Sequence, residues 1–303
     1  GLDAGKLEWI TEHINKNYIE PGKIAGCQVY VNRHGHTGYF RSFGMKDAER
    51  AAPMTDDTIF RLYSMTKPVV SVALMQLFEK GYFQLNDPVH RFIPSWKNHE
   101  VWVSGSGADM VTRPPRSPMT MKHILSHTGG ITYGGDRNEV DKAYREHGVT
   151  RQNGQTLTSF LDSLAKVPLR FDPGEQWLYS LSTDVCGGLV GIISGQKLDD
   201  YLAEHIFQPL DMIDTGFYVA KDSHERFAAN YSRRKDKTLQ LLDDPLTSAY
   251  LEPNTFLSGG GGLVGTMADY AKFTEMLRCG GAYGGKHIIG SRTLRLMRQN
   301  HLK

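Results

Sequence analysis

The hydrophobic period changes along this chain, and the change limits the folds open to it. Cys27–Asn32 and Thr37–Phe43 read as two strands joined by a turn around His34-Gly35-His36. From Ser64 onward the spacing is helical: Ser64–Lys80 with Gly81 as its stop, then Leu157, Phe160, Leu161 and Leu164 at i, i+3, i+4, i+7, then Asp184–Ile193 and Leu198–Phe207. An amphipathic helix precedes the strands, carrying Leu7, Ile10, Ile14 and Tyr18 and ended by Pro21-Gly22. Helices return at Met267–Arg278, where Thr266 and Asp269 fit a capping box, and over about Ser291–Gln299. Residues 82–118 are rich in Pro, Trp and turn signals and read as irregular, and Arg233–Lys237 reads as a solvated loop. Such a chain is expected to leave a sheet, build a helical lobe and return to the sheet. No internal repeat or low-complexity linker marks a boundary.

Composition removes several function classes. The chain has 303 residues, which suggests roughly two domains of ~150 residues. With 40% hydrophobic and 22% charged residues it is neither disordered nor membrane-embedded in character. Lys+Arg is 35 against Asp+Glu 33, so no basic excess marks a nucleic-acid partner. No apolar run approaches the ~20 residues of a membrane span; the best stretch, Cys186–Ser194, is short and holds three glycines. Three cysteines, Cys27, Cys186 and Cys279, include no CxxC pair, and Cys186 reads as a small buried hydrophobe. His34 and His36 read as exposed turn residues, so no metal is expected. The start, Gly1-Leu2-Asp3, lacks a basic and apolar leader, although a removed leader leaves the same trace. The expected compartment is cytoplasmic, with periplasmic or secreted left open.

The chemistry begins with absences. There is no GxxxxGK[ST], no HExxH and no GxSxG. Gly260-Gly261-Gly262-Leu263-Val264-Gly265 matches GxGxxG, but Pro253-Asn254 interrupt any preceding strand and no acidic residue follows ~20 positions on; it reads as a tight backbone turn. SxxK occurs four times, at Ser64–Lys67, Ser163–Lys166, Ser194–Lys197 and Ser232–Lys235. Only Ser64 stands where a helix begins after an apolar segment, Ile59–Met65. Residues i and i+3 share a helix face, so Lys67 Nζ comes within reach of Ser64 Oγ. A serine hydroxyl is a weak nucleophile and needs a base beside it, and a helix N-terminus favours a developing oxyanion. Tyr179, in Pro173–Ser180, precedes the helix at Asp184. A phenol near an ammonium has a lowered pKa and can exchange a proton with a hydroxyl. The competing readings are an N-cap serine with an exposed lysine, and a core-edge tyrosine.

Together these segments resemble the serine β-lactamase and penicillin-binding family, in particular the class C β-lactamase-like, or family VIII, carboxylesterases. The residues that carry the resemblance are Phe60-Arg61-Leu62-Tyr63-Ser64-Met65-Thr66-Lys67-Pro68, Leu125-Ser126-His127-Thr128-Gly129-Gly130, Pro173-Gly174 with Tyr179-Ser180-Leu181-Ser182, Ile206-Phe207-Gln208-Pro209-Leu210, and Ser258–Thr266. They occur in the family's order from about residue 24 to 300. The resemblance implies an α/β (α+β sandwich) fold. An antiparallel sheet flanked by helices would come from 1–62 and 215–303, a mainly helical lobe from 63–214, and the site would lie in the cleft between them. It implies Ser64 as acylated nucleophile, Lys67 as its base partner, Tyr179 as proton shuttle, and His127 as a structural turn residue. No cofactor is implied, and the partner is a small-molecule ester.

Two departures shape the expectation. Class C β-lactamases carry Tyr-x-Asn at the second motif; here Leu181 takes the third position and Ser182 comes one residue late, so the substrate-binding positions are Leu181 and Ser182 and an ester suits the site better than a lactam. The third motif, a Lys-Thr-Gly-like triplet, would follow the region matched by Gly284–Gln299, and the sequence stops at Lys303 before one appears. His127-Thr128-Gly129 has similar letters in another place. The sequence is therefore expected to be a fragment, with the strands that close the sheet and a second oxyanion donor lying beyond it. A serine carboxylesterase is the leading expectation. The alternatives are a β-lactamase or D-Ala-D-Ala peptidase, an acyltransferase, and a non-catalytic binding protein on the same fold. Oligomeric state is left open.

Overall fold

The computed structural model describes residues 1–135, 138–149 and 154–302. Two compact units emerge, each assembled from three separate stretches of chain. The first takes Gly1–Arg61, Asp211–Pro253 and Val264–Glu275. Its N-terminal hairpin pairs Gly26–Arg33 antiparallel with His36–Asp47, and Ala52–Pro53 adds a third short strand. The two predicted strands are both present and longer than their apolar runs. His34 and Gly35 turn the hairpin with φ of 52° and 82°, the left-handed pair that a two-residue loop needs to match strand twist. The helix Ala4–Ile14 starts where the Asp3 side chain accepts the Lys6 N–H, and it lies on this hairpin, with Thr11 Oγ1 2.7 Å from the Tyr39 hydroxyl. It widens into a π-turn over Asn15–Ile19 before Pro21-Gly22.

A second strand pair in the same unit sets Ile59–Arg61 against Val264–Thr266, antiparallel, over a core of Ile59, Val219, Phe227 and Val264. Arg61 is buried here. Its guanidinium bonds Asp243 at 2.6 Å and the Ala228 carbonyl at 2.5 Å, and lies 4.0 Å over the Phe227 ring. That satisfies a charge whose burial alone costs several kcal/mol, roughly. The stretch Arg233–Lys237, expected as a solvated loop, is the exposed turn of a hairpin whose strands, Asn230–Arg233 and Leu239–Asp243, the sequence did not show; Arg233 ends one strand and Lys237, at φ 74°, turns the chain back. The predicted capping box at Thr266 is half made. Thr266 Oγ1 accepts the Asp269 N–H, but the Asp269 carboxylate turns to the Asp214 N–H and the Thr215 hydroxyl. Every strand pair named above is antiparallel.

The second unit holds Leu62–Leu210, Asn254–Leu263 and Met276–Lys303. Its centre is the packing of helix Thr66–Glu79 on helix Ser182–Ser194. Both are buried along most of their length because both are apolar nearly all round. Gly187 and Gly188 let neighbouring segments close on the second of these helices: a Cβ would stand 2.9 Å from the Leu198 side chain at one and 2.7 Å from Leu161 at the other. Glu79 ends the first helix and caps the Ser291–Met297 helix, accepting from Gly290 N–H at 2.8 Å and Thr293 Oγ1 at 2.7 Å. Inside 82–118, read as irregular, a small pair joins Val101–Ser104 to Val111–Arg113. The helix Glu139–Glu146 has no counterpart in the sequence reading. Among the described residues no helix is long and apolar enough to cross a membrane, and no three His, Cys, Asp or Glu side chains group as metal ligands.

Candidate active site

Ser64 lies in a single 3-10 turn, Tyr63–Met65, that runs straight into the helix Thr66–Glu79. Tyr63 has φ 44°, a left-handed backbone that a non-glycine residue adopts at a cost of about 1–3 kcal/mol. The bend is held on both sides. The Leu62 N–H donates to the Leu263 carbonyl at 2.8 Å, and the Leu263 N–H donates to the buried Thr66 hydroxyl at 3.1 Å. The result is an exposed Ser64 at the start of a buried helix.

Three of the residues expected from the sequence meet at one point. Ser64 Oγ is 2.7 Å from the Tyr179 hydroxyl and 3.1 Å from Lys67 Nζ. The i, i+3 spacing delivers the lysine, as a helix face must. Lys67 Nζ also donates to the Gly260 carbonyl at 2.6 Å and lies 4.7 Å from the Tyr179 ring centroid. The other SxxK serines are differently placed. Ser194 spends its hydroxyl on the Val190 carbonyl, and Ser232 sits on a strand, where i and i+3 do not share a face.

Tyr179 stands within an aromatic stack. Tyr133 is parallel to it at 5.5 Å, His127 lies at 5.2 Å on a 31° tilt, and Trp177 at 6.4 Å. Burial alone would raise the Tyr179 pKa. The hydrogen bonds from Lys67 and Ser64 and the Lys67 charge outweigh it, so the phenol is held below its ordinary 10. The turn role expected of His127 matches its backbone, at φ 56°. Its Nδ1 accepts the Ser180 N–H at 3.3 Å, which leaves the ring proton on Nε2. Burial, helped by Lys67, lowers its pKa to about 4, so it is neutral beside the tyrosine.

Leu181 and Ser182 are placed elsewhere than a substrate contact requires. Leu181 is 2% exposed and Ser182 fully buried. The Ser182 hydroxyl is 2.8 Å from that of Ser180, and Leu181 caps the helix Ser182–Ser194 with its carbonyl. The helix starts two residues earlier than its sequence pattern suggests and draws both side chains inward.

The sequence reading missed the lysine's carbonyl partner and what holds it. The glycine run does not open a helix, as a dinucleotide loop would; it leads into the strand Val264–Thr266. It lies flush on the N-terminal turn of helix Ser182–Ser194. A Cβ on Gly259 would strike the Thr183 carbonyl, and one on Gly260 would stand 2.5 Å from Asp184 Oδ2. Asp184 Oδ1 accepts Ser258 Oγ at 2.5 Å and Gly260 N–H at 3.0 Å. The only letters that point here are an acid in an apolar helix and four consecutive glycines.

The chain is similar to known proteins over most of its length. The family model described as beta-lactamase matches residues 13–302. Esterase EstB of Burkholderia gladioli is 31% identical over 294 residues, covering 91% of this chain and 71% of its own. Among solved structures, EstCE1, titled a hydrolase with promiscuous acyltransferase activity, superposes with a TM-score of 0.83 at 29% identity, over 99% of this chain and 78% of its own. Simvastatin synthase (LovD) from Aspergillus terreus superposes at 0.81 and 26% identity, over 100% of this chain and 74% of its own.

Proposed function

Because this chain belongs to the β-lactamase family and has its β-lactamase/transpeptidase-like fold, we propose that it is a serine carboxylesterase that works on small esters through a Ser64 acyl-enzyme. The observation that carries this reading is the meeting of Ser64 Oγ, Tyr179 hydroxyl and Lys67 Nζ within 3.1 Å. In acylation the Ser64 proton passes to a Tyr179 phenolate kept accessible by the Lys67 ammonium. Oγ bonds the ester carbonyl carbon, and the Ser64 backbone N–H at the head of the helix faces the oxyanion. When the tetrahedral intermediate collapses, the bond to the alcohol oxygen breaks and Tyr179 returns the proton to that leaving group. Water then attacks the acyl-enzyme, gives its proton to Tyr179, and the proton goes back to Ser64 Oγ. No step calls for a metal or an organic cofactor.

An ester is favoured over a lactam by the lack of a side-chain amide at Leu181, the third position of Tyr-x-Asn, and by the esterase activity of EstB. Acyl transfer to an alcohol is the second reading, favoured by the acyltransferase activity of EstCE1. It needs the same residues and differs only in the final acceptor.

The test is intact-mass spectrometry and turnover with a p-nitrophenyl ester and, separately, a penicillin, on wild type and Ser64→Ala. Ester turnover that vanishes in Ser64→Ala, with little penicillin adduct, is the expected result. A stable penicillin adduct on Ser64 would replace this reading with a penicillin-binding peptidase. Ester product appearing on an added alcohol would favour acyl transfer, and neither turnover nor adduct would leave a binding protein.

A further inference from the structure

The proposed chemistry uses Ser64, Lys67 and Tyr179 and leaves one buried carboxylate beside them unemployed. Asp184 is fully buried, and its Oδ2 has no hydrogen-bond partner among the described residues. A lone carboxylate oxygen removed from water is expensive, roughly a few kcal/mol. A helix-capping duty does not explain it, because Asp184 points its other oxygen away from its own helix, to Ser258 Oγ at 2.5 Å and Gly260 N–H at 3.0 Å.

Those two donors bracket the backbone that receives the lysine. The Gly260 carbonyl accepts Lys67 Nζ at 2.6 Å. Gly260 can take this place only without a side chain, since its Cβ would meet Asp184 Oδ2 at 2.5 Å. Asp184 also follows Tyr179 by five residues, across the turn that starts its helix. One short segment therefore sets both the phenol that meets Ser64 and the acid that holds the lysine's acceptor. The titratable groups that feel the Asp184 carboxylate are the Tyr179 phenol and, on its own helix, the Cys186 thiol.

We propose that Asp184 is the positioning residue of Lys67: by holding Ser258 and Gly260 it fixes the Gly260 carbonyl, and that carbonyl fixes the lysine beside Ser64. The inference rests on the serine-nucleophile reading above and adds to it a residue that touches neither substrate nor nucleophile. Its oxygen at the clamp acts as an acceptor, which an amide oxygen can replace; an alanine cannot. Losing the clamp frees the lysine and lowers the fraction of enzyme with an activated serine, while leaving the substrate surface in place.

The measurement is the second-order rate at which an alkyl fluorophosphonate labels Ser64, followed by intact mass. Ser64 Oγ bonds phosphorus as fluoride leaves, and the serine proton leaves with it. Wild type, Ser64→Ala, Asp184→Ala, Asp184→Asn and Ser258→Ala are compared, each with its melting temperature, and with kcat and KM on a p-nitrophenyl ester. Asp184→Ala is expected to label about tenfold to a hundredfold more slowly, with kcat falling in step and KM within about threefold. Asp184→Asn should recover most of that rate, and Ser258→Ala should lose about threefold to tenfold. A folded Asp184→Ala that labels at the wild-type rate overturns the proposal. If that variant does not fold, Ser258→Ala decides, and an unchanged rate there overturns it equally. A wild type that is not labelled removes the nucleophile and this proposal with it, whereas a labelled wild type with unaffected variants removes this proposal alone.

Discussion

A hydroxyl with a phenol at 2.7 Å and an ammonium-bearing chain at 3.1 Å has its proton partners already chosen. The Gly260 carbonyl can only accept, so Lys67 keeps a hydrogen on that side and offers the rest to Ser64 and Tyr179. Tyr179→Phe keeps the ring between Tyr133 and His127 and removes only the oxygen. Turnover per labelled Ser64 should fall by about 10²- to 10⁴-fold with the melting temperature nearly unchanged, as read by steady-state kinetics and calorimetry. The lowered Tyr179 pKa gives the proposed activity a sign: with the phenolate as the proposed base, kcat/KM should rise with pH through that pKa, and the cation beside it brings the rise to lower pH. Lys67→Gln withdraws the cation, and the rising limb of its residual kcat/KM profile should move to higher pH; a limb that stays put would assign the titration to another group. Ser64 and Lys67 were legible because three residues of helix bring them together whatever the rest of the chain does. Tyr179 was legible only through its place in an ordered set of motifs. The Gly260 carbonyl was not legible, since a backbone oxygen has no letter and lies 193 residues from the lysine it serves.

At the scale of elements, legibility followed the strength of the hydrophobic period. Ser64–Lys80 and Leu157–Leu164 were read close to their true ends because their buried faces are long and apolar. The helix Glu139–Glu146 was missed: only Val140, Ala143 and Tyr144 mark its apolar side among charged residues. The hairpin Asn230–Asp243 was hidden by Arg233, Arg234, Lys235 and Lys237 at its turn, where charge reads as a loop even when strands flank it. The glycines of the Ser182–Ser194 helix weaken helix propensity, by about 1 kcal/mol each, yet Asp184–Ile193 was still legible as a helix. Their use is packing, and Gly188→Ala tests it. The added methyl would stand 2.7 Å from Leu161 Cδ1, so stability should fall by about 1–3 kcal/mol despite the better propensity, measured by urea unfolding. A gain in stability would mean that Leu161 gives way freely.

For the molecule as a whole, two neutral histidines, one buried and one half-buried, tie stability to pH. His99 donates Nε2–H to the Val167 carbonyl at 2.9 Å against Trp96, and burial lowers its pKa to about 4; His127 is lowered to about 4 as well. Between about 6.5 and 4 the unfolded chain binds a proton at each site that the native chain refuses. Stability therefore falls as pH drops through that window, by up to about 1.4 kcal/mol per pH unit per site, and levels off below it. The melting temperature should decline from pH 7 to pH 5, and less steeply in His99→Gln, which keeps a donor for Val167 and cannot take up the proton; equal slopes would clear His99 of the effect. The three-segment make-up of each unit carries a consequence for biosynthesis. A ribosome delivers Ser64, Lys67 and Tyr179 well before Asn254–Leu263, the stretch that holds the lysine's acceptor. At about 5–20 residues per second the first 61 residues of the other unit wait roughly 8–30 s for their next partners. The emerging polypeptide thus carries an unarmed serine and open strand edges for much of its synthesis, a period in which chaperones, rather than the finished packing, protect it.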